Sequence, residues 1–466
     1  MKNLLALPLV VVSGFALTGC FDDDDDPQKS NVRVIHASSD APAVNVNVNG
    51  QTVVSGADYK QAAVLTPNAG QASLSIDGLL PGGETATVID TDAALRFDTS
   101  YDVIAVGKVG DETIEPLVLT DDGQRDSADS VRLRVAHLSP DAQEAAGGPV
   151  DVYVTAAGAE LPEEATFSFS FKESVGPLEV PAGEYQVRVT PAGTDTIVYD
   201  SGTVPLPAGA DLLVAAVDNT VFGESPISLL AINGADVSEI VDASAGSGIR
   251  AVHNSSDAGL VDLYVNATPG SDPATVEDIA FTDTVPEAAV TGAYVALEAG
   301  ENQVAVTGAD GTVPVIDATL DLAVGSATTI VAAGTVAQGS VQALVFEDDS
   351  RSVVTAAKLR VIHGAEEADT VDVYLLPTAE GGAAATEINS AEPALDDFEF
   401  GQSSGYVEVP EGDYVVFITS TDGSEFLKTG SITLTAGSVY TAIARAAPED
   451  DNNVAGLTLL DDFLTP

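Results

Sequence analysis

Aliphatic residues recur at every second position in short runs along this chain, and glycine, proline and acidic turns separate the runs. One run opens as Val32-Arg33-Val34-Ile35-His36 and breaks into Ala37-Ser38-Ser39-Asp40. It returns as Leu133-Arg134-Val135-Ala136-His137, as Ile249-Arg250-Ala251-Val252-His253 and as Leu359-Arg360-Val361-Ile362-His363, at intervals of a little over a hundred residues. An alternating strand follows each copy: Val44–Val48, Val150–Val154, Val261–Val265 and Val371–Leu375. A period of two puts its aliphatic side chains on one face and its Asp, Asn or Tyr on the other. A Gly-led strand comes next (from Gly70, Gly183, Gly300 and Gly412), then a strand introduced in the last three copies by Ala-Gly or Val-Gly. A closing strand such as Leu117-Val118-Leu119 or Leu344-Val345-Phe346 ends the unit.

About seven short strands per ~100 residues, with turn residues between them and no sustained 3.6-residue period, predict a β-sandwich. The fold class expected is all-β: four tandem immunoglobulin-like sandwiches, spanning 31–124, 131–235, 247–350 and 356–462. The Cys…Trp…Cys core of antibody domains is absent, so the likeness to immunoglobulins is one of architecture. Acidic, Gly/Ser-bearing joints between units are short, which predicts four semi-rigid beads in close succession.

The pattern Arg-x-x-His-x-Ser-x-Asp-Ala followed by Val-Asp-Val-Tyr-Val resembles a bacterial and archaeal domain family of unknown function, DUF4397. Copies two and three are closest to it. Copy four carries Ala365 and Glu367 in place of Ser and Asp, and copy one has Asn45 and Asn47 in place of Asp and Tyr. The resemblance implies an extracytoplasmic sandwich, often in tandem, and no established activity.

The N-terminus sets an expected address. Lys2 precedes an apolar stretch from Leu4 to Leu17, and Thr18-Gly19-Cys20 follows. A basic start, a short apolar run and small residues read as a secretory signal over 1–19. Leu17-Thr18-Gly19-Cys20 resembles a bacterial lipobox, which makes Cys20, the only Cys in the chain, the expected lipidation site. Phe21 rather than Asp after that Cys favours the outer membrane over the inner one. Residues 20–30, with the carboxylates of Asp22 to Asp26, then form a solvated tether.

Charge and cysteine content narrow the function. Seventy-two acidic against 17 basic residues give a net charge of −55, which repels nucleic acid. A single Cys leaves no disulfide framework and no zinc site built on paired thiolates. The candidate chemistry is the repeated His with an acid four residues on: His36 and Asp40, His137 and Asp141, His253 and Asp257, His363 and Glu367. Alternation turns each His toward the core side, where its ring is expected to bond the following turn through Ser or Asp, a structural role. The repeated Arg33, Arg134, Arg250 and Arg360 fall on the other strand face, with Asp151, Asp262 and Asp372 of the next strand as expected partners.

A Ser-His-Asp triad within one turn lacks the room its geometry needs, so no catalytic residue is assigned and no enzyme is expected. No metal or cofactor is assigned either. The acidic pairs Asp121-Asp122 and Asp348-Asp349, with Asp461-Asp462, are weak calcium candidates, since that ion takes hard oxygen ligands. Without Trp, glycan binding would fall to Tyr153, Tyr264 and Tyr374. The expected function is a lipid-anchored envelope protein with a non-catalytic binding or structural role, and with the membrane, another envelope protein or a glycan as partner. Two alternatives are an accessory lipoprotein that captures or hands over a solute for an outer-membrane or transport complex, and a hydrolase.

Overall fold

Each His strand has apolar residues on both of its faces, and that double-sided pattern decides how the sheets stack. A computed structural model describes residues 28–287, 294–378, 388, 391–446 and 455–462. The signal segment, Cys20 and the run from Asp22 to Asp26 lie outside the described residues.

The described chain is nearly all strand. In the first repeat one sheet has the order Ala62–Leu65, Asn31–His36, Ser100–Val106, Glu115–Asp121. The other has the order Gln51–Ala57, Val44–Val48, Gly70–Leu79, Thr85–Leu95. The same plan recurs in the three later repeats, with His strands Ser130–His137, Ser247–His253 and Ala357–His363. Each His strand runs parallel to a strand from late in its repeat, with Arg33 opposite Asp102, Arg134 opposite Leu213, Arg250 opposite Thr329 and Arg360 opposite Thr441. Other ladders are antiparallel. Parallel central strands buried on both faces explain the near-continuous apolar runs Val103–Val106 and Leu212–Val217.

Inward residues fill each sandwich. In repeat 1 these include Val32, Val34, Val46 and Ile76, and in repeat 3 Ile249, Leu263, Val304 and Ile330. Outward residues of the His-bearing sheets are buried too, so the closely spaced beads pack face to face in pairs. The chain divides into two compact units. One runs to Asn219 and takes in Ser225–Ala243; the other comprises Thr220–Glu224 and the chain from Ser244 onward.

In the first unit Ile35, Ile104 and Val106 of repeat 1 share an apolar layer with Leu213, Leu230 and Ile232 of repeat 2. In the second, Val252 and Val331 of repeat 3 share one with Ile362, Ile443 and Leu460 of repeat 4. Two repeats therefore form one packing unit, because a sheet that is apolar on both sides must bury both.

Candidate functional site

The His turns come first, because four copies carry the same chemistry. Each ring accepts at Nδ1 from the backbone N–H two residues on: Ser38 at 3.4 Å, Ser139 at 3.5 Å, Ser255 at 3.4 Å and Ala365 at 3.3 Å. The expectation that a Ser or Asp side chain would satisfy the ring is corrected. The backbone does so, and Ala365 therefore serves as well as Ser. Acceptance at Nδ1 puts the proton on Nε2. In three copies that N–H reaches the carbonyl six residues on: Pro42 at 3.1 Å, Gly259 at 2.8 Å and Asp369 at 2.7 Å. Burial lowers the pKa of His253 and His363, against the opposing bond to the carbonyl.

Copy two departs from this plan. Six residues beyond His137 stands Gln143, inside a seven-residue helix, Pro140–Ala146. Ser139 caps that helix by accepting from Ala142 N, Pro140 sits at its start and Gly147 ends it in the left-handed conformation. The Gln143 carbonyl accepts from the N–H of Gly148. His137 Nε2 is therefore buried with no hydrogen-bond partner among the described residues. Burial pushes the His137 pKa down to about 4, against the pull of Asp218 and Glu173.

The acids bond to neighbouring loops. Asp40 accepts from Val109 N at 2.9 Å and Gly110 N at 2.8 Å, and Asp257 accepts from Val336 N at 2.7 Å and Ala337 N at 2.8 Å. The Val336 N–H, with that of Ala337, holds the Asp257 carboxyl below the usual range. Asp141 pairs with Lys108 at 2.7 Å, and Glu367 accepts from Ser256 at 2.9 Å. Ser38 Oγ goes to Asp40 and Ser139 Oγ to Asp218, so these hydroxyls do not line up as nucleophiles on the rings.

The repeated arginines do not pair with Asp151, Asp262 and Asp372 as expected. Those acids lie on the other sheet and accept from the backbone at Gly193, at Asp278 and Asp310, and at Asp397. The neighbour of each arginine is the parallel strand, and its side chain faces the layer between paired repeats. In the second unit Arg360 meets Asp348 at 2.6 Å and Arg250 meets Asp462 at 2.5 Å, with cross distances of 3.6 Å.

Tyr294 and Thr329 also donate to Asp348, as Tyr406 and Thr441 do to Asp462. Burial, with the two carboxylates adding, raises the pKa of both tyrosines. The four charges cancel and are at most 5% exposed. The first unit has a looser version, in which Arg33 meets Asp102 at 2.8 Å and Arg134 approaches it at 3.7 Å.

These contacts also account for the acidic pairs. Asp121 is engaged by Arg132 and Asp348 by arginines, while Asp349 pairs with Lys358 and Asp122 accepts from Gln124 N. Among the described residues no group of three or more His, Cys, Asp or Glu is placed to hold a metal ion. Tyr153 and Tyr264 are buried at 4% and 6% exposure, which removes them as open platforms for a sugar ring.

What the sequence did not reveal is a cavity. Between the sheets of repeat 2 lies a space of about 500 Å³, walled by residues such as Leu133, Val152, Val187, Leu212 and Leu229, with His137 beside it. The corresponding space around His36 in repeat 1 is about 10 Å³.

A helix-start signature was available in Ser139-Pro140-Asp141, a capping residue followed by Pro and an acid. The cavity itself depends on how far the sheets stand apart, which no local pattern carries.

The repeat motif, the sandwich plan and the shared His turn together define an all-β tandem-repeat protein. The chain belongs to the DUF4397 family (domain of unknown function), whose model matches residues 30–146, 143–264 and 247–374. No curated protein matches the chain. Among solved structures, the Bacillus anthracis TIE protein aligns over 89% of this chain and 68% of its own. The identity is 11% and the TM-score 0.14.

Proposed function

We propose that this chain is an envelope protein anchored through a lipid on Cys20 and held at the outer membrane. In this reading its sandwiches have a non-catalytic binding or structural role, and residues 356–462 are a fourth copy of the family. The observation that carries the reading is the use made of the repeated ionisable residues. Three of the four His rings are closed by backbone on both nitrogens, and the four arginines join one repeat to the next. Groups engaged in this way build a scaffold. A scaffold with a lipidated N-terminus and an acidic tether stands off a membrane and presents its loops to an envelope protein or a glycan.

The alternative role, capture and hand-over of a solute for an envelope complex, is supported by the cavity in repeat 2. The test is metabolic labelling with an alkyne fatty acid, combined with membrane fractionation. Cys20 should carry the label in the outer-membrane fraction, and Cys20→Ala should lose both label and membrane association. A Cys20→Ala protein that still co-fractionates with outer membrane would sink the anchoring mechanism.

A further inference from the structure

Only in repeat 2, among the described residues, does a further strand pair outside the closing strand of the His-bearing sheet: Asp236–Ile240, alongside Ile227–Asn233. It borders the cavity of about 500 Å³, whose counterpart in repeat 1 is about 10 Å³. A volume of that size is within the range of small-molecule sites.

The register of the added strand grades the wall. Leu229 lies opposite Ile240, Ala231 opposite Ser238 and Asn233 opposite Asp236, and all six residues line the cavity. A period of two puts the three pairs on one face of the sheet. Val237 and Glu239, on the other face, meet repeat 1 through the shared apolar layer and Lys60. The inward face therefore passes from apolar, with Leu229 3% exposed, through small, to polar and exposed at Asn233 and Asp236. Inward positions of a sandwich are ordinarily apolar throughout, so this end is a mouth.

The other sheet is open at its edge as well. Repeat 1 has one continuous strand there, Thr85–Leu95. Repeat 2 has two fragments, Tyr199–Asp200 and Val204–Leu206, and Thr203 in the break is exposed and lines the cavity. Thr203, Asn233, Asp236 and Ser238 thus supply the reachable polar side chains at the rim. Two other polar side chains of the wall are withheld: Tyr185 gives its hydroxyl to the Pro181 carbonyl, and the unpartnered His137 Nε2 is buried out of reach.

We propose that repeat 2 binds a single-chain amphiphile, with a hydrocarbon tail of roughly 10–14 carbons between the sheets and, at the rim, a head that donates hydrogen bonds and carries no negative charge. A polar atom along the tail would be stripped of water with no partner to meet it. The Asp236 carboxylate accepts from a hydroxyl or amine head and repels a carboxylate or phosphate. This gives the solute-capture role a ligand class and does not rest on the anchor. Failure of Cys20 lipidation leaves it standing, and failure of binding leaves the anchor standing.

The probe is N-phenyl-1-naphthylamine, a neutral apolar fluorophore, titrated into the purified full chain at 0.15 M salt, where charges beyond about 8 Å are largely screened. One saturable site per chain is expected. 1-Decanol should displace the probe about tenfold more strongly than decanoate does, and 1-butanol should displace almost none. Asp236→Asn should narrow the gap between alcohol and carboxylate while still taking up the probe. Ala216 lines the cavity and Ser238 its rim. Ala216→Phe and Ser238→Trp should each weaken uptake about tenfold or more, the second at an exposed position where folding is not at stake. No saturable uptake, several equal sites per chain, or decanoate equal to decanol would each overturn the proposal. So would unchanged uptake in Ser238→Trp, whether or not Ala216→Phe folds.

Discussion

Repeats 1 and 2 share a strand order, a packing layer and the motif from which both start, yet one has a closed core and the other a hollow one. The difference begins in the turn after the His. In repeat 1 the residues after Ser38 fold so that the Pro42 carbonyl reaches the ring, and the core around His36 is filled. In repeat 2 a capped helix takes up the equivalent carbonyl, the ring is left open on one side, and the sheet edge beyond it splits. A conserved-looking motif can thus hold a fold in one copy and free a polar atom in another. The paired units differ in a parallel way. Repeats 3 and 4 meet through a closed four-charge cluster, whereas repeats 1 and 2 have Asp102 and Leu213 where those have Thr329 and Thr441.

The largest expected effect tests that second contrast. Asp348→Ala leaves Arg360 and Arg250 in a dry layer with one carboxylate between them. It should destabilise the second unit by about 3–5 kcal/mol, read as a lower denaturant midpoint for that unit. Asp102→Ala should cost the first unit less, since Arg33 and Asp102 are 15% and 14% exposed and Arg33 keeps its bond to the Ile232 carbonyl. Equal losses would mean that the closed geometry adds nothing over the loose one.

Next comes pH. The His137 pKa lies near 4 in the folded chain, below the 6.5 usual for His. Above 6.5 both folded and unfolded rings are neutral and the group has no effect. As pH falls through 6.5 the unfolded ring gains a proton that the folded one refuses, so stability drops until about pH 4 and then levels. The loss is about 3 kcal/mol at most. His137→Phe should remove that slope from the urea midpoint between pH 7 and 4, and His363→Phe should remove a smaller one. A slope unchanged in His137→Phe would show that the ring is not buried neutral.

A matched pair of substitutions probes the volumes directly. Ala105 and Ala216 hold the same position, each opposite its repeat's His on the parallel strand. Ala105→Phe has no room and should destabilise by about 1–3 kcal/mol. Ala216→Phe should be neutral or stabilising, because its ring replaces void. Thermal melts should show a lowered midpoint for Ala105→Phe alone if the cavity is present, and for both variants if it is not.

Much of this was legible beforehand. Period-two runs marked the strands, and the four-fold recurrence of Arg-x-x-His marked the repeats, because both signals are local. The partner of each arginine was not legible. Arg33 meets Asp102, 69 residues away, because the next strand in sequence crosses to the other sheet. The pairing of repeats was written in the second apolar face of each His strand, in Ile35 and Ile362. An outward Ile on a strand whose inward face is already apolar signals burial on both sides. The ring-to-backbone bonds escaped notice for another reason: a backbone N–H has no residue type, so Ser38 and Ala365 look different and act alike.

The smallest effect sharpens the first comparison at the residue that starts it. Ser38 and Ser139 occupy the same place in the motif, but their hydroxyls do different work. Ser38 Oγ donates to the half-buried Asp40 at 3.3 Å and caps no helix. Ser139 Oγ accepts from Ala142 N at 3.0 Å and donates to the buried Asp218 at 2.5 Å. Ser38→Ala should therefore be nearly silent, whereas Ser139→Ala should cost about 1 kcal/mol for the lost cap. The loss should be accompanied by faster amide exchange across Pro140–Ala146. If the freed Gln143 carbonyl then turned to His137 Nε2, as Pro42 does to His36, that bond would oppose the effect of burial, and the pH slope set by His137 would flatten in Ser139→Ala although His137 itself is untouched. Retention of the full slope in a variant whose helix exchanges freely would show that the ring stays open without the helix. The origin of the hollow core would then lie in the split sheet edge rather than in the turn.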